Sequence, residues 1–154
     1  MAWFRYANLE LDDPAKFKYQ PPSETADNWL EFVLRYLNMG IRLKRIYDKP
    51  DKTDGRRVLV DRLWPRGLTQ KEARIDHWLK EIAPSAELRK WFRHEPTRWK
   101  EFKRRYASEL KDHSDKLEQL AEDAKKGTVT LLFAAKDTKH NNAVALKELI
   151  EKLR

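Results

Sequence analysis

Two stretches of this 154-residue chain demand a sheet that is covered on both faces. Thr128 to Ala135 is a near-continuous apolar run, and Val58-Leu59-Val60 sets three branched apolar residues in a row. A strand with one wet face would alternate instead. The second run breaks into Asp61-Arg62-Leu63-Trp64-Pro65-Arg66-Gly67. Pro65 fixes its own φ and holds Trp64 extended, while Gly67 permits a turn that other residues resist. The pattern predicts a rigid loop leaving the carboxyl end of a core strand, the end where open α/β sheets bind ligands. Asp61 and Arg62 can serve there as ligand-handling groups or as a structural ion pair, and Trp64 as ligand contact or as core.

The remaining elements follow from periodicity. Ile41, Leu43 and Tyr47 alternate with Arg42 and Lys44, a half-exposed strand over 41–47. The link to 57–61 is too short for a crossover helix, so those two strands are expected to pair antiparallel in a small mixed sheet of about three to four strands. Thr69 and Glu72 form a capping box, and Ile75, Trp78, Leu79 and Ile82 continue a helix face from it. A short helix follows near 86–93. Pro96 suits the first turn of the next helix, whose stripe is Trp99, Phe102, Tyr106 and Leu110. Ser114 is expected to cap a further helix, stopped by Gly127. A last helix starts near Asn142. Ahead of all this, Ser23 and the spacing of Trp29, Phe32, Val33, Tyr36 and Leu37 predict an amphipathic helix over 24–37, in an N-terminal extension of residues 1–38. Its apolar face must be covered, by its own domain or by a second copy of the chain.

Composition narrows the chemistry. The chain has no cysteine, which removes disulfides, thiolate nucleophiles and cysteine-based zinc sites. No pair of histidines stands at metal-ligand spacing, and no glycine-rich phosphate loop or nucleophile elbow occurs, so neither metal nor cofactor is expected. No apolar run approaches membrane-spanning length, and no signal segment is present. The expected location is the cytoplasm, away from membranes. The formal net charge is +8. Residues 1–38 hold four basic and six acidic side chains, a net −2, so residues 39–154 carry +10. Such a surface favours polyanions, though solubility alone accounts for it equally well.

A second chemical stretch, Lys136-Asp137-Thr138-Lys139-His140-Asn141-Asn142, leaves the other buried strand and feeds a helix start. Free N–H groups and the helix dipole favour an anion at such a place. If strands 57–61 and 128–135 are parallel neighbours, Arg62 and Arg66 face the same mouth as Lys136 and His140. That would make an anion pocket in which Arg62, Trp64, Arg66, Lys136, Asn141 and Asn142 hold a phosphate or carboxylate, with arginines supplying bidentate contact. Asp61, Asp137 and His140 are the candidates for moving a proton. Asn141 or Asn142 serves more simply as a helix cap.

The string Val58 to Gly67 resembles the signature of the domain of unknown function 488 family, in its YeaO-like branch. Further blocks agree in order and spacing: Leu43 to Asp48, Ala83-Pro84-Ser85 with Glu87 to Lys90, Leu131 to Lys136, and His140 to Ala143. The resemblance runs from about residue 39 to the end. It implies a small cytoplasmic prokaryotic protein with a single Rossmann-like α/β domain over 39–154. It also implies that relatives can hold His at the position of Asn142, an amide that cannot act as a base. Ser85 reads most simply as the cap of the helix holding Leu88.

Two functions compete on these residues. One is an enzyme acting on a nucleotide or nucleic acid at the arginine-lined mouth. The other is a binding or interaction module without turnover. Such a module would use the same pocket, a nucleic-acid face of Lys100, Lys103 and Arg104 on the basic helix 97–111, or the aromatic N-terminal helix. Stacking by Trp64 or Trp91 would favour single strands.

Overall fold

The computed structural model describes residues 40–153. The helix expected over 24–37 and the rest of the extension 1–38 lie outside the described residues. The architecture is α/β. Four parallel strands, β1 (Gly40–Arg45), β2 (Arg56–Leu59), β3 (His77–Trp78) and β4 (Thr128–Phe133), form one sheet in the order β1-β4-β2-β3. The apolar run 128–135 thus supplies the central strand, as its composition demands. Leu131 of β4 stands opposite both Leu43 of β1 and Val58 of β2.

Side chains alternate across β4. Val129, Leu131 and Phe133 enter the larger core with Ile41, Val58 and Val60. Four helices cover that core: α2 (Ala86–Phe92), α3 (Trp99–Glu109), α4 (Ser114–Lys126) and α5 (Asn142–Glu151). Phe102, Tyr106 and Leu110 of the expected α3 stripe are buried, and the Tyr106 hydroxyl donates to the Ile82 carbonyl at 2.5 Å. Leu132 points the other way, into a smaller cluster with Ile46, Leu59 and Ala73. The short helix α1 (Gln70–Ala73) supplies Ala73, behind the Thr69–Glu72 capping box. No helix among the described residues is long and apolar enough to cross a membrane.

Three local expectations are corrected. The strand at the start of the domain does not pair antiparallel with 57–61, and every strand pair among the described residues is parallel. β1 and β2 lie on either side of β4, each parallel to it. About ten extended residues reach some 33 Å, enough to return along a six-residue strand of about 20 Å without an α-helix. The link passes over β4 instead, where the Thr130 hydroxyl donates to the Asp54 carbonyl at 2.6 Å. A 3-10 turn at Lys52–Asp54 carries the buried Asp54, which pairs with Lys44 at 2.9 Å and with buried Arg57. Gly55 follows with φ 60, and a Cβ there would stand 2.2 Å from the Thr128 carbonyl oxygen.

The helix face expected through Ile82 stops at Ala73. Arg74 takes a left-handed cap, and Asp76 pairs with the Arg57 backbone, its N–H donating to the carbonyl at 2.8 Å and its carboxylate accepting from the amide at 2.7 Å. Those bonds convert His77–Trp78 into the edge strand β3. Ser114 is not a cap either. The chain runs from α3 through a 3-10 turn at Leu110–His113 into α4, and Ser114 is already helical at φ −57 and ψ −35.

Candidate functional site

A parallel sheet sends the carboxyl ends of β1, β2 and β4 to one side. Asp61 stands at the exit of β2. One carboxylate oxygen accepts from the Ala134 N–H at 2.8 Å and the other from the Asn142 side-chain amide at 3.2 Å. The same amide nitrogen donates to the Val60 carbonyl at 2.9 Å, and the Trp78 indole N–H donates to the Asp61 carbonyl at 2.7 Å. Asp61 therefore joins the exits of two strands to the start of α5 and to β3. Burial pushes its pKa above the ordinary value. The Ala134 and Asn142 donors and the charges of Arg89 and His94 oppose that push. Arg89 and His94, both from the α2 region, are thus parts of this neighbourhood that the sequence reading did not assign to it.

The loop leaving β4 is self-tied. Asp137 accepts from the N–H groups of Lys139 at 2.8 Å and His140 at 3.0 Å, and its second oxygen lies 3.0 Å from His140 Nδ1. The two backbone donors, with the imidazole, hold its carboxyl down at about 2. A carboxylate beside Nδ1 favours the tautomer with the proton there, leaving Nε2 as an acceptor. The His140 ring meets Trp99 edge-on at 5.5 Å. Its carbonyl faces His94 Nδ1 at 3.4 Å. Arg93 and His94 both hold positive φ, 48 and 54, a backbone region that side chains normally avoid and that clusters at functional sites. Asn141, not Asn142, is the cap of α5: its side-chain oxygen accepts from the Val144 N–H at 3.1 Å.

Beside this cluster lies a cationic rim. Arg45 Nε donates to the Ala135 carbonyl at 3.1 Å, which sets the end of β1 next to Lys136. The Tyr47 hydroxyl donates to the Arg66 carbonyl at 3.2 Å, which ties the loop after β2 to the chain after β1. Arg62, Arg66 and Lys136 are exposed, and among the described residues none of them, nor Arg45, has an acidic partner. The basic helix differs. Lys103 pairs with Glu148 at 2.8 Å, and Arg104 and Arg105 both pair with Glu101 at 2.8 Å. Of the three residues expected to face nucleic acid there, only Lys100 is left without an acid among the described residues.

The aromatic expectations shift as well. Trp64 donates its indole N–H to the Leu68 carbonyl at 2.6 Å and meets Trp78 edge-on at 5.4 Å, both half-buried and packed against the smaller core. Trp91 lies under two guanidinium groups, Arg98 at 5.4 Å and Arg105 at 4.2 Å. Tyr47, read in the sequence as the inner side of a strand, stands beyond the end of β1 and is exposed. Ser85 caps α2, accepting from the Leu88 N–H at 3.1 Å. A shallow cavity of about 530 Å³ lies elsewhere, lined by Arg42, Lys44, Lys49, Asp51, Asp54 and Thr130 among others. Its Asp54 carboxylate is already shared by Lys44 and Arg57. Among the described residues no three His, Asp or Glu side chains are placed to hold a metal ion.

The family model described as the inactive DUF488-N3 subclade matches residues 40–153. The chain belongs to the DUF488 family. It is 44% identical over 115 residues to the uncharacterized protein YeaO of Escherichia coli, covering 75% of this chain and all of that protein. It is 40% identical over 110 residues to the uncharacterized proteins Rv3073c of Mycobacterium tuberculosis and Mb3100c of Mycobacterium bovis, covering 71% of this chain and 92% of each. No solved structure matches it. The DUF488 match spans every described strand and helix. The blocks that carry the resemblance fall on the end of β1, on β2 and the loop after it, on α2 and its cap, on β4 and its exit, and on the start of α5, and most of them border the carboxyl end of the sheet.

Proposed function

We propose that this DUF488 chain is a cytoplasmic binding module that receives a phosphate-bearing ligand, a nucleotide or a nucleic acid, on the rim at the carboxyl end of its sheet, without turning it over. The observation that carries the reading is that Arg45 at the end of β1, Arg66 in the loop after β2 and Lys136 in the loop after β4 are drawn together by the Arg45–Ala135 and Tyr47–Arg66 hydrogen bonds, with no acid to neutralise them among the described residues. Guanidinium forks match phosphate oxygens two at a time, and an ammonium adds a point charge. The absence of turnover rests on the acids. Asp61 spends both oxygens on fixed donors, and Asp137 is held ionised by its own loop. Asn142, which touches Asp61, is an amide and carries no titrating proton. The description of the matched subclade as inactive agrees with this.

The test is fluorescence anisotropy of the full chain with a labelled oligonucleotide across a salt series. Phosphate contacts release counterions, so affinity should fall log-linearly with salt. Changing Arg62, Arg66 and Lys136 together to Ala should remove roughly two to three units of that slope. No binding at micromolar protein in low salt overturns the reading. A second reading, an enzyme, is favoured by the Asp137–His140 pair, which resembles an oriented base. Nucleotide turnover that His140→Ala abolishes would establish it.

A further inference from the structure

Among the described residues three large apolar side chains are well exposed: Tyr47 at 44%, Leu63 at 66% and Leu153 at 49%. Leu153 lies past the end of α5. The other two stand on the cationic end. A lone exposed aromatic needs no explanation. Tyr47 differs because it is fixed. Its hydroxyl is anchored to the Arg66 carbonyl at 3.2 Å, and the Arg45 guanidinium lies 5.4 Å from its ring centroid. The ring is therefore held in one orientation while nearly half of its surface stays in water. Leu63 lies in the same loop as Arg62 and Arg66.

We propose that Tyr47 is a stacking platform for an unpaired base of single-stranded nucleic acid, whose phosphates lie on Arg62, Arg66 and Lys136. This rests on the rim reading above and specifies its ligand. A positively charged track interleaved with an aromatic face is the arrangement that binds single strands without sequence readout. A duplex keeps its base faces stacked on each other and can use only the charges. An acidic peptide likewise answers the charges but leaves the ring and Leu63 without a counterpart. The two tryptophans that the sequence offers for stacking are already occupied, Trp64 by the core and Trp91 by two arginines.

The experiment is anisotropy of the full chain with a labelled oligothymidylate and with a duplex of equal length, each competed by polyglutamate. The single strand should bind more tightly than the duplex, and polyglutamate should compete poorly. Tyr47→Ala should weaken the single strand about fivefold or more and leave its salt slope intact, because stacking is worth roughly 1–3 kcal/mol per base. Tyr47→Phe keeps the ring and should retain most of the affinity. The ring is exposed, so both variants should melt near the parent, which excludes misfolding as the cause. An unchanged affinity in Tyr47→Ala overturns the proposal, as does equal binding of the duplex or strong competition by polyglutamate. If the strand still binds with a steep slope in those cases, the rim reading survives without the platform. If the Arg62, Arg66 and Lys136 triple variant binds as the parent does, the rim reading itself fails.

Discussion

The Asn142 side chain donates to the Asp61 carboxylate at 3.2 Å while the same nitrogen holds the Val60 carbonyl at 2.9 Å. One amide therefore locks the start of α5 to the exit of β2. Asn142→Ala should cost about 1–3 kcal/mol in urea unfolding, because two half-buried acceptors lose a donor. Asn142→Asp should be worse at neutral pH, since it sets a second carboxylate against Asp61, and should recover part of the loss in acid.

The two aspartates at this end should titrate in opposite directions. Asp137 is held at about 2 by backbone donors. A depressed carboxyl contributes stability above its unfolded value, near 4, and loses it as pH falls towards 2. Asp61 is raised by burial. Its contribution is full below the unfolded value and is lost as pH rises through its folded pKa. Carboxyl-carbon NMR should give Asp137 a midpoint near 2 and Asp61 one above the ordinary aspartate value. A normal midpoint for Asp137 would remove the account of its loop.

The crossover between β1 and β2 depends on two adjacent residues. Asp54→Ala leaves Arg57, only 5% exposed, without its counter-charge. Breaking such a pair costs on the order of 3–5 kcal/mol. Gly55→Ala combines φ 60 with a Cβ 2.2 Å from the Thr128 carbonyl oxygen, so the backbone of β4 must move. Chemical denaturation should show both variants less stable than the parent, and Asp54→Leu should recover little, because Arg57 remains charged.

The basic helix should be a poor phosphate binder. Lys103 and Arg104 are already paired with Glu148 and Glu101. Changing Lys100, Lys103 and Arg104 together to Ala should leave the salt slope for oligonucleotide within about one unit of the parent. A loss of three units would move the binding face from the rim to α3.

Much of this was legible because the signals are local. The apolar run 128–135 is long enough to require a doubly covered strand, and the Trp64-Pro65-Arg66-Gly67 loop carries its own turn chemistry. Ser85 and the Thr69–Glu72 box are caps that a window of four residues reveals, and the same window narrows the cap of α5 to Asn141 or Asn142 without choosing between them. The pairing of β1 was not legible, because its partner β4 begins at Thr128, and a hydrophobic pattern does not say which strand slides between two others. The break after Ala73 was hidden for a similar reason: Asp76 answers to Arg57, not to its own neighbours. Arg89 and His94 became part of the site only through the packing of α2. Tyr47 fitted an alternating strand, and only the early end of β1 at Arg45 brings it out of the core.

The strand order has a consequence for synthesis. The chain is made from its amino end, yet among the described residues β1 pairs only with β4, and before β4 arrives β2 has only the two residues of β3 to pair with. Until the ribosome has passed residue 133, two strands have emerged whose shared neighbour does not yet exist. Such edges recruit other chains. A nascent chain of this topology cannot bank its fold in instalments. Stalled or truncated products ending before Thr128 should collect as aggregate rather than as partly folded domain.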